Sequence, residues 1–473
     1  MQILRTLGAV AVLAGLSLAQ VIPIGPQPVP PIRPNNGIVG GQDQNGLYQL
    51  YLVPNLGTPA PGAPQTMTGL SAGLASRMVR FVIDQANADI IAAASPTGGS
   101  GEIEIWRVKV FNTSVVSETL LTTLPGTAGM IARAMHRDAS GCILVLCRPN
   151  TIGGTFTVHR VAVTRQGALA SQIPIGNPAA DMIDAIATDP AGQIVLGGRR
   201  APYSSASPGV TLSVSQAGGT PTVSSVVPGF HVIAAETDSI GTPALGLSPQ
   251  SLPPQADFSC GGAQFNFQFN SPPFTTLFND IERTPSGNLF VLAGVGFFAA
   301  GGPGGLIQVG ASGCVPGAPM NLMVFQHGIN QVAIAFASTA YGCGCPPSTD
   351  VLPQIGEFTP PTIGQPWQVV LTNGVPNSQA ILISGRTDKN FQGLPLPQPL
   401  SIVGGQPQCF LLNSAVFQFG PLNTNPAGTA IHSLTIPNDP TLIGSRLFSE
   451  WLVFETTPGV PFFSTAGLAS TIR

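Results

Sequence analysis

Five residues with chemically capable side chains recur at one place in this sequence: Arg80, Arg133, Asp184, Asn279 and Asp280. Each lies seven or eight residues before a turn-forming Gly, or before Asn87 where that Gly would stand. Guanidinium, amide and carboxylate groups brought into one cleft can bind a small polar ligand or divide acid and base roles between them. The plainer reading is that they satisfy one another or water, since structural ion pairs also perturb their members. In a catalytic reading, Arg133, Asp184 and Asp280 are the expected participants in a hydrolase or lyase acting on polysaccharide.

Other chemistries find less support. His136, His159, His231, His327 and His432 are scattered, and His136, His231 and His327 stand at different offsets from the turns that follow or precede them. They read as structural rather than as a metal set. Asp43, Asp84, Asp138, Asp189 and Asp238 each open a turn, where an aspartate bonds its own downstream backbone, so calcium is the minor reading. No Gly-x-Ser-x-Gly elbow in a strand-to-helix setting and no Cys/His signature is read in the sequence, and the turns lack the Trp of sialidase Asp boxes. No cofactor and no metal is expected.

The elements that would position the five residues are short hairpins. Ile186-Ala187-Thr188-Asp189-Pro190-Ala191-Gly192 followed by Gln193-Ile194-Val195-Leu196 reads as strand, turn, strand: Pro190 presets φ and Gly192 can take positive φ. Variants recur, with turn residues Gly46, Asn87, Gly141, Gly192, Gly241 and Gly287 separated by 41, 54, 51, 49 and 46 residues. A period of about 40 to 50 residues holding four strands is that of a β-propeller blade, whose faces are buried only by its neighbours. The last strand, Val332 to Ala337, is expected to complete the blade begun by Leu47 to Val53, so that no sheet edge is left open. That count gives six blades, or seven if the hairpin at His327-Gly328-Ile329-Asn330 forms its own.

Composition agrees with an all-β chain. Of 473 residues, 43% are hydrophobic and 8% charged, with 57 Gly and 47 Pro and no long apolar stretch at helical spacing. Net charge is −3 and lysine occurs only at Lys109 and Lys389, so no basic stripe exists for nucleic acid. Residues 1–19 read as a signal peptide, with Arg5, an apolar core from Leu7 to Leu16 and a small-x-small end at Ser17-Leu18-Ala19. Residues 20–37 form a Pro-rich linker, 38–342 the propeller and 343–473 a second domain. No transmembrane segment is expected after signal removal, and location is expected to be extracellular or periplasmic, secreted or at the cell surface.

Seven cysteines in an exported chain permit disulfides. Cys142 and Cys147 sit in one apolar run and read as fillers. Cys409 has Cys345 or Cys343 as its expected partner, and Cys260 has Cys314.

From 343 onward about eight short strands separated by Asn373-Gly374, Gly404-Gly405 and Asn425-Pro426-Ala427-Gly428 read as an antiparallel β-sandwich, with one helical turn near Pro440. The run Gly364-Gln365-Pro366-Trp367 through Asn373-Gly374-Val375-Pro376-Asn377, with Gly393-Leu394-Pro395-Leu396-Pro397, Gln408-Cys409, Ile436-Pro437-Asn438-Asp439-Pro440 and Glu450-Trp451-Leu452-Val453, resembles the C-terminal module of secreted planctomycete-type proteins of unknown function. The upstream turns are similar to NHL-like propeller repeats. The resemblance implies an exported accessory domain and carries no catalytic residues. The sequence therefore favours a secreted, non-catalytic propeller that binds a cell-surface protein or carbohydrate, with the polysaccharide hydrolase or lyase as the alternative.

Overall fold

A computed structural model describes residues 36–473 apart from connecting segments, the longer of which are 150–154, 201–206, 238–242, 250–255, 268–275, 284–288, 296–303, 310–319, 346–351 and 456–461. Between 248 and 330 it describes the course of the strands and the side chains of Asp280, Ile281 and Glu282. The expected signal peptide, nearly all of the Pro-rich linker, the tetrapeptide turns ending at Gly241 and Gly287, and the Cys260–Cys314 pair lie outside the described residues.

The chain is all-β. Six antiparallel sheets of four strands occupy the region up to Ile334. Their first strands are, in spatial order, Gly328–Ile334, Val79–Asp84, Met130–Arg137, Asp181–Thr188, Phe230–Thr237 and Thr276–Arg283. Each of these inner strands adjoins the next, and Thr276–Arg283 adjoins Gly328–Ile334, so the order returns to its start. The first sheet joins the two ends of this region: Gly328–Ile334 pairs with Gly37–Gln42, which pairs with Tyr48–Val53. The sequence places the late strand in this sheet correctly but misses Gly37–Gln42 as its direct partner.

The turns behave as their residues dictate. Gly141 and Gly192 have φ of 77° and 80°, a region that costs a residue with a Cβ. Asp138 Oδ1 accepts from Cys142 N at 2.9 Å, and Asp189 Oδ1 from Gln193 N at 2.7 Å, so both aspartates serve as turn formers.

The apolar run after Gly141 is continuous because both faces of its sheet are dry. Ile143, Val145 and Cys147 pack against Ile91, Ala93 and Ile105 of the preceding sheet. Leu144 and Leu146, pointing the other way, pack against Ile183, Ile186 and Leu196 of the following sheet. Cys147 is buried and unbonded, as a filler should be. Cys142 corrects the expectation for its neighbour: it forms a disulfide with Cys343, with Cα atoms 4.5 Å apart. It lies just before the strand Ile143–Pro149 and is fully buried.

The C-terminal region holds a six-stranded sheet in the order Ser338–Tyr341, Gly467–Thr471, Arg446–Phe454, Gln379–Gly385 and Phe417–Asn423, with Phe462–Ser464 also paired to Arg446–Phe454. A three-stranded sheet contains Gln354–Glu357, Pro366–Thr372 and Ala430–Thr435. Trp367, Val369 and Leu371 from the smaller sheet share one core with Leu382, Trp451 and Val453 from the larger. Cys345 bonds Cys409. The two-residue strand Gln398–Pro399 runs into a 3-10 turn over Leu400–Val403, where Gly405 N bonds back to Leu400 O at 2.8 Å. Thr465 and Ala466 separate the short strands Phe462–Ser464 and Gly467–Thr471.

The C-terminal region rests on the turns of the repeat region. Gly344 N donates to Ser140 O at 2.9 Å, and a Cβ on Gly141 would stand 2.7 Å from Ala466 Cβ. A small cavity at the seam is lined by Asp84 and Thr164 on one side and Tyr341, Asp388 and Leu412 on the other.

Candidate functional site

The inner strands decide where the five sequence candidates point. Pairing in five of the six sheets slips by one residue along the inner strand, at 132/134, 183/185, 232/234, 278/280 and 329/331. The extra residues are Arg133, Asp184, Ile233 and Asn279, each eight residues before its turn Gly, and Asn330 in the first sheet. A β-bulge bends its strand and re-aims the side chain there, which is the structural content of that spacing. Arg80 sits in unbroken register opposite Ala93. Asp280 follows the bulge at Asn279, whose side chain lies outside the description.

Four of the candidates meet. Arg133 Nε donates to Asp184 Oδ1 at 2.7 Å, and Arg80 Nε donates to the Arg133 carbonyl at 2.8 Å. Asp280 stands close enough to Arg80 for their charges to act on each other. Two further residues join them. Arg148 Nε reaches Asp184 Oδ1 at 2.9 Å, and His231 Nε2 lies 3.0 Å from Asp184 Oδ2. Arg148 had a readable signal: it stands seven residues after Gly141, as Arg199 stands seven after Gly192. His231 had none, because its offset from Gly241 matches no other histidine.

The contacts link inner strand to inner strand. Asp280 Oδ2 accepts from Val332 N at 2.9 Å, and Gln331 Oε1 accepts from Phe81 N at 2.9 Å. Arg80 then reaches Arg133, Arg133 reaches Asp184, and Asp184 meets His231. An inner strand has one unpaired edge, and its exposed N–H and C=O groups need partners. Side chains from the adjacent sheet supply several of them.

The electrostatics separate the two carboxylates. Burial alone would push the Asp184 carboxyl up, yet the His231 contact and the guanidiniums of Arg133 and Arg148 together hold it well below the usual range. Burial pushes Asp280 up to about 7, against the pull of Val332 N, Arg80 and Ile281 N. Further along the inner strands, burial and the charges of Glu236 and Asp280 raise Glu282 well above an ordinary glutamate. His136, bonded to Thr188 Oγ1 at 3.0 Å, is lowered by burial to about 4. Among the described residues no group of three His, Cys, Asp or Glu is placed to hold a metal ion.

No protein-family model matches this chain, and no curated protein matches it. Solved structures similar to it include a protein of unknown function from Bacteroides caccae, 12% identical with a TM-score of 0.40 over 63% of this chain and 98% of that one. AofleA from Arthrobotrys oligospora is 7% identical, with a TM-score of 0.39 over 65% of this chain and 92% of that one. An exo-beta-1,3-galactanase from Phanerochaete chrysosporium is 10% identical, with a TM-score of 0.33 over 92% of this chain and 93% of that one. Likenesses at this level carry nothing over to this chain.

Proposed function

We propose that this chain is an exported, non-catalytic binding protein: a six-bladed β-propeller over residues 38–342 joined to a C-terminal β-sandwich over 343–473. The cyclic order of the inner strands and the overlap of Gly328–Ile334 with Gly37–Gln42 support the propeller. The core shared by two sheets supports the sandwich. Two disulfides and the signal-like start of the sequence support export, to the cell surface or beyond. No helix among the described residues is long and apolar enough to cross a membrane.

One observation carries the non-catalytic reading: both candidate carboxylates, Asp184 and Asp280, are engaged by the protein itself. Asp184 is engaged by Arg133, Arg148 and His231, and Asp280 accepts backbone N–H groups with both oxygens. A general acid or base must be within reach of its substrate, and Asp184 keeps only 3% of its side chain exposed. The C-terminal region contacts the turns at Gly141 and Gly192. Arg80, Arg133, Asp184, Asn279 and Asp280 lie four or five residues before the turns, roughly 13–17 Å from them at about 3.3 Å per residue, and the side of the inner strands away from the C-terminal region faces a carbohydrate or protein partner. Incubating the oxidised full chain with a panel of polysaccharides tests this reading: no new reducing or unsaturated ends should appear, while a glycan or protein array should register binding. Turnover abolished by Asp184→Asn would overturn it.

A further inference from the structure

Asp184 uses only part of the guanidinium beside it. Arg133 engages it through Nε, and among the described residues its Nη1 and Nη2 groups have no protein partner. Neither is sealed from solvent, and the side chain keeps 14% of its surface exposed although Asp184 keeps only 3%. A second guanidinium, that of Arg80, stands near enough for the two like charges to act on each other. Arg80, Arg133 and Arg148 bring three positive charges against the two carboxylates of Asp184 and Asp280, leaving one positive charge when both are ionised. A monoanion would neutralise the site, whereas a dianion would reverse its sign.

We infer that the outward fork of Arg133, backed by Arg80, is a binding site for the carboxylate of a small ligand or an acidic sugar residue. The planar fork of a guanidinium matches a carboxylate with two parallel N–H···O bonds, a fit an ammonium cannot reproduce. Asp184, fixed by Arg148 and His231, is the positioning residue: it takes Nε and thereby aims the two Nη groups away from the strand. Ile233 occupies the equivalent bulge in the next sheet and offers no competing charge. This assignment rests on the binding reading above and names its ligand class.

The test is isothermal titration of the oxidised full chain with galacturonate, tri-galacturonate, acetate, galactose and a sulfated galactose. Galacturonate should bind at least about tenfold tighter than galactose, as expected for a charge-assisted bidentate pair. Acetate binding as well as galacturonate identifies a free organic acid as the source, and tri-galacturonate binding tighter than either identifies a glycan. Arg133→Gln and Arg133→Lys should each lose about tenfold, with melting checked beside them. Should those variants not fold, phenylglyoxal labelling of the wild type replaces them, with galacturonate protecting Arg133. Equal affinity for galactose, tighter binding of the sulfated sugar, or no protection of Arg133 overturns the assignment. Chromatography of the recovered tri-galacturonate keeps the two readings apart: cleavage would sink the non-catalytic reading, and absent binding would sink only this one.

Discussion

Replacing Glu450 by Gln should make the protein more stable at neutral pH. Glu450 lies on Arg446–Phe454, opposite Ile383 and fully buried. Its Oε2 accepts from Leu412 N at 2.9 Å and Asn413 Nδ2 at 3.4 Å, and burial lifts its pKa from the ordinary 4.5 to about 8. Between those values the unfolded chain binds fewer protons than the folded one, so stability falls as pH rises from 4.5 to 8. At about 1.36 kcal/mol per pKa step, the loss is roughly 3 kcal/mol at pH 7 and approaches about 5 kcal/mol above pH 8. A glutamine oxygen can keep both donors of Oε2, and its amide then faces Ser464. The variant should match the wild type near pH 4.5, exceed it by about 3 kcal/mol at pH 7, and show a flatter profile. His136 and His159, both lowered by burial to about 4, give an opposite slope between 4 and 6.5, but they are common to both proteins and cancel. Urea melts at pH 4.5, 7 and 8.5 measure the difference. A variant with the wild-type slope, or one less stable at pH 8.5, would refute the reasoning.

Three other outcomes are expected. Asp184→Asn leaves Arg133 and Arg148 without their counter-charge and should cost about 3–5 kcal/mol. Since Asp184 has a depressed folded-state pKa, its contribution is complete above the ordinary aspartate value and is lost as pH falls below it, so the variant and wild type should converge in acid melts. Pairing Cys142→Ser with Cys343→Ser opens a loop of sequence separation 201 and should lower stability by roughly 2–5 kcal/mol, a loss that a dithiol reproduces in the wild type and not in the variant. Gly46→Ala and Gly141→Ala meet the same positive φ, near 76°, but only at Gly141 does the new Cβ collide with a neighbour, Ala466. Calorimetry should find about 1–2 kcal/mol lost at Gly46 and clearly more at Gly141.

Local rules made the repeats legible. A turn needing positive φ announces itself as Gly141 or Gly192, and an apolar run flanking it announces a strand dry on both faces. The offset of eight residues picks out Arg133 and Asp184, because the bulge sits at a fixed distance from the turn. What lay across the chain was silent. Cys343 pairs with Cys142 rather than Cys409 because Ser140 and Gly344 are brought together by the docking of two regions, which no spacing encodes. Gln331 reads as an ordinary strand residue until Phe81 is placed beside it. Ser338–Tyr341 falls within the 38–342 span that the sequence assigns to the repeats, yet its partner is Gly467–Thr471, near the other end of the C-terminal region.

The bond between Cys142 and Cys343 has a consequence for survival among proteases. Any single cut in the chain between these two cysteines leaves both pieces on one covalent molecule, so a nicked copy sheds nothing and its severed ends stay at high effective concentration. A copy clipped there keeps both pieces together until the disulfide is reduced.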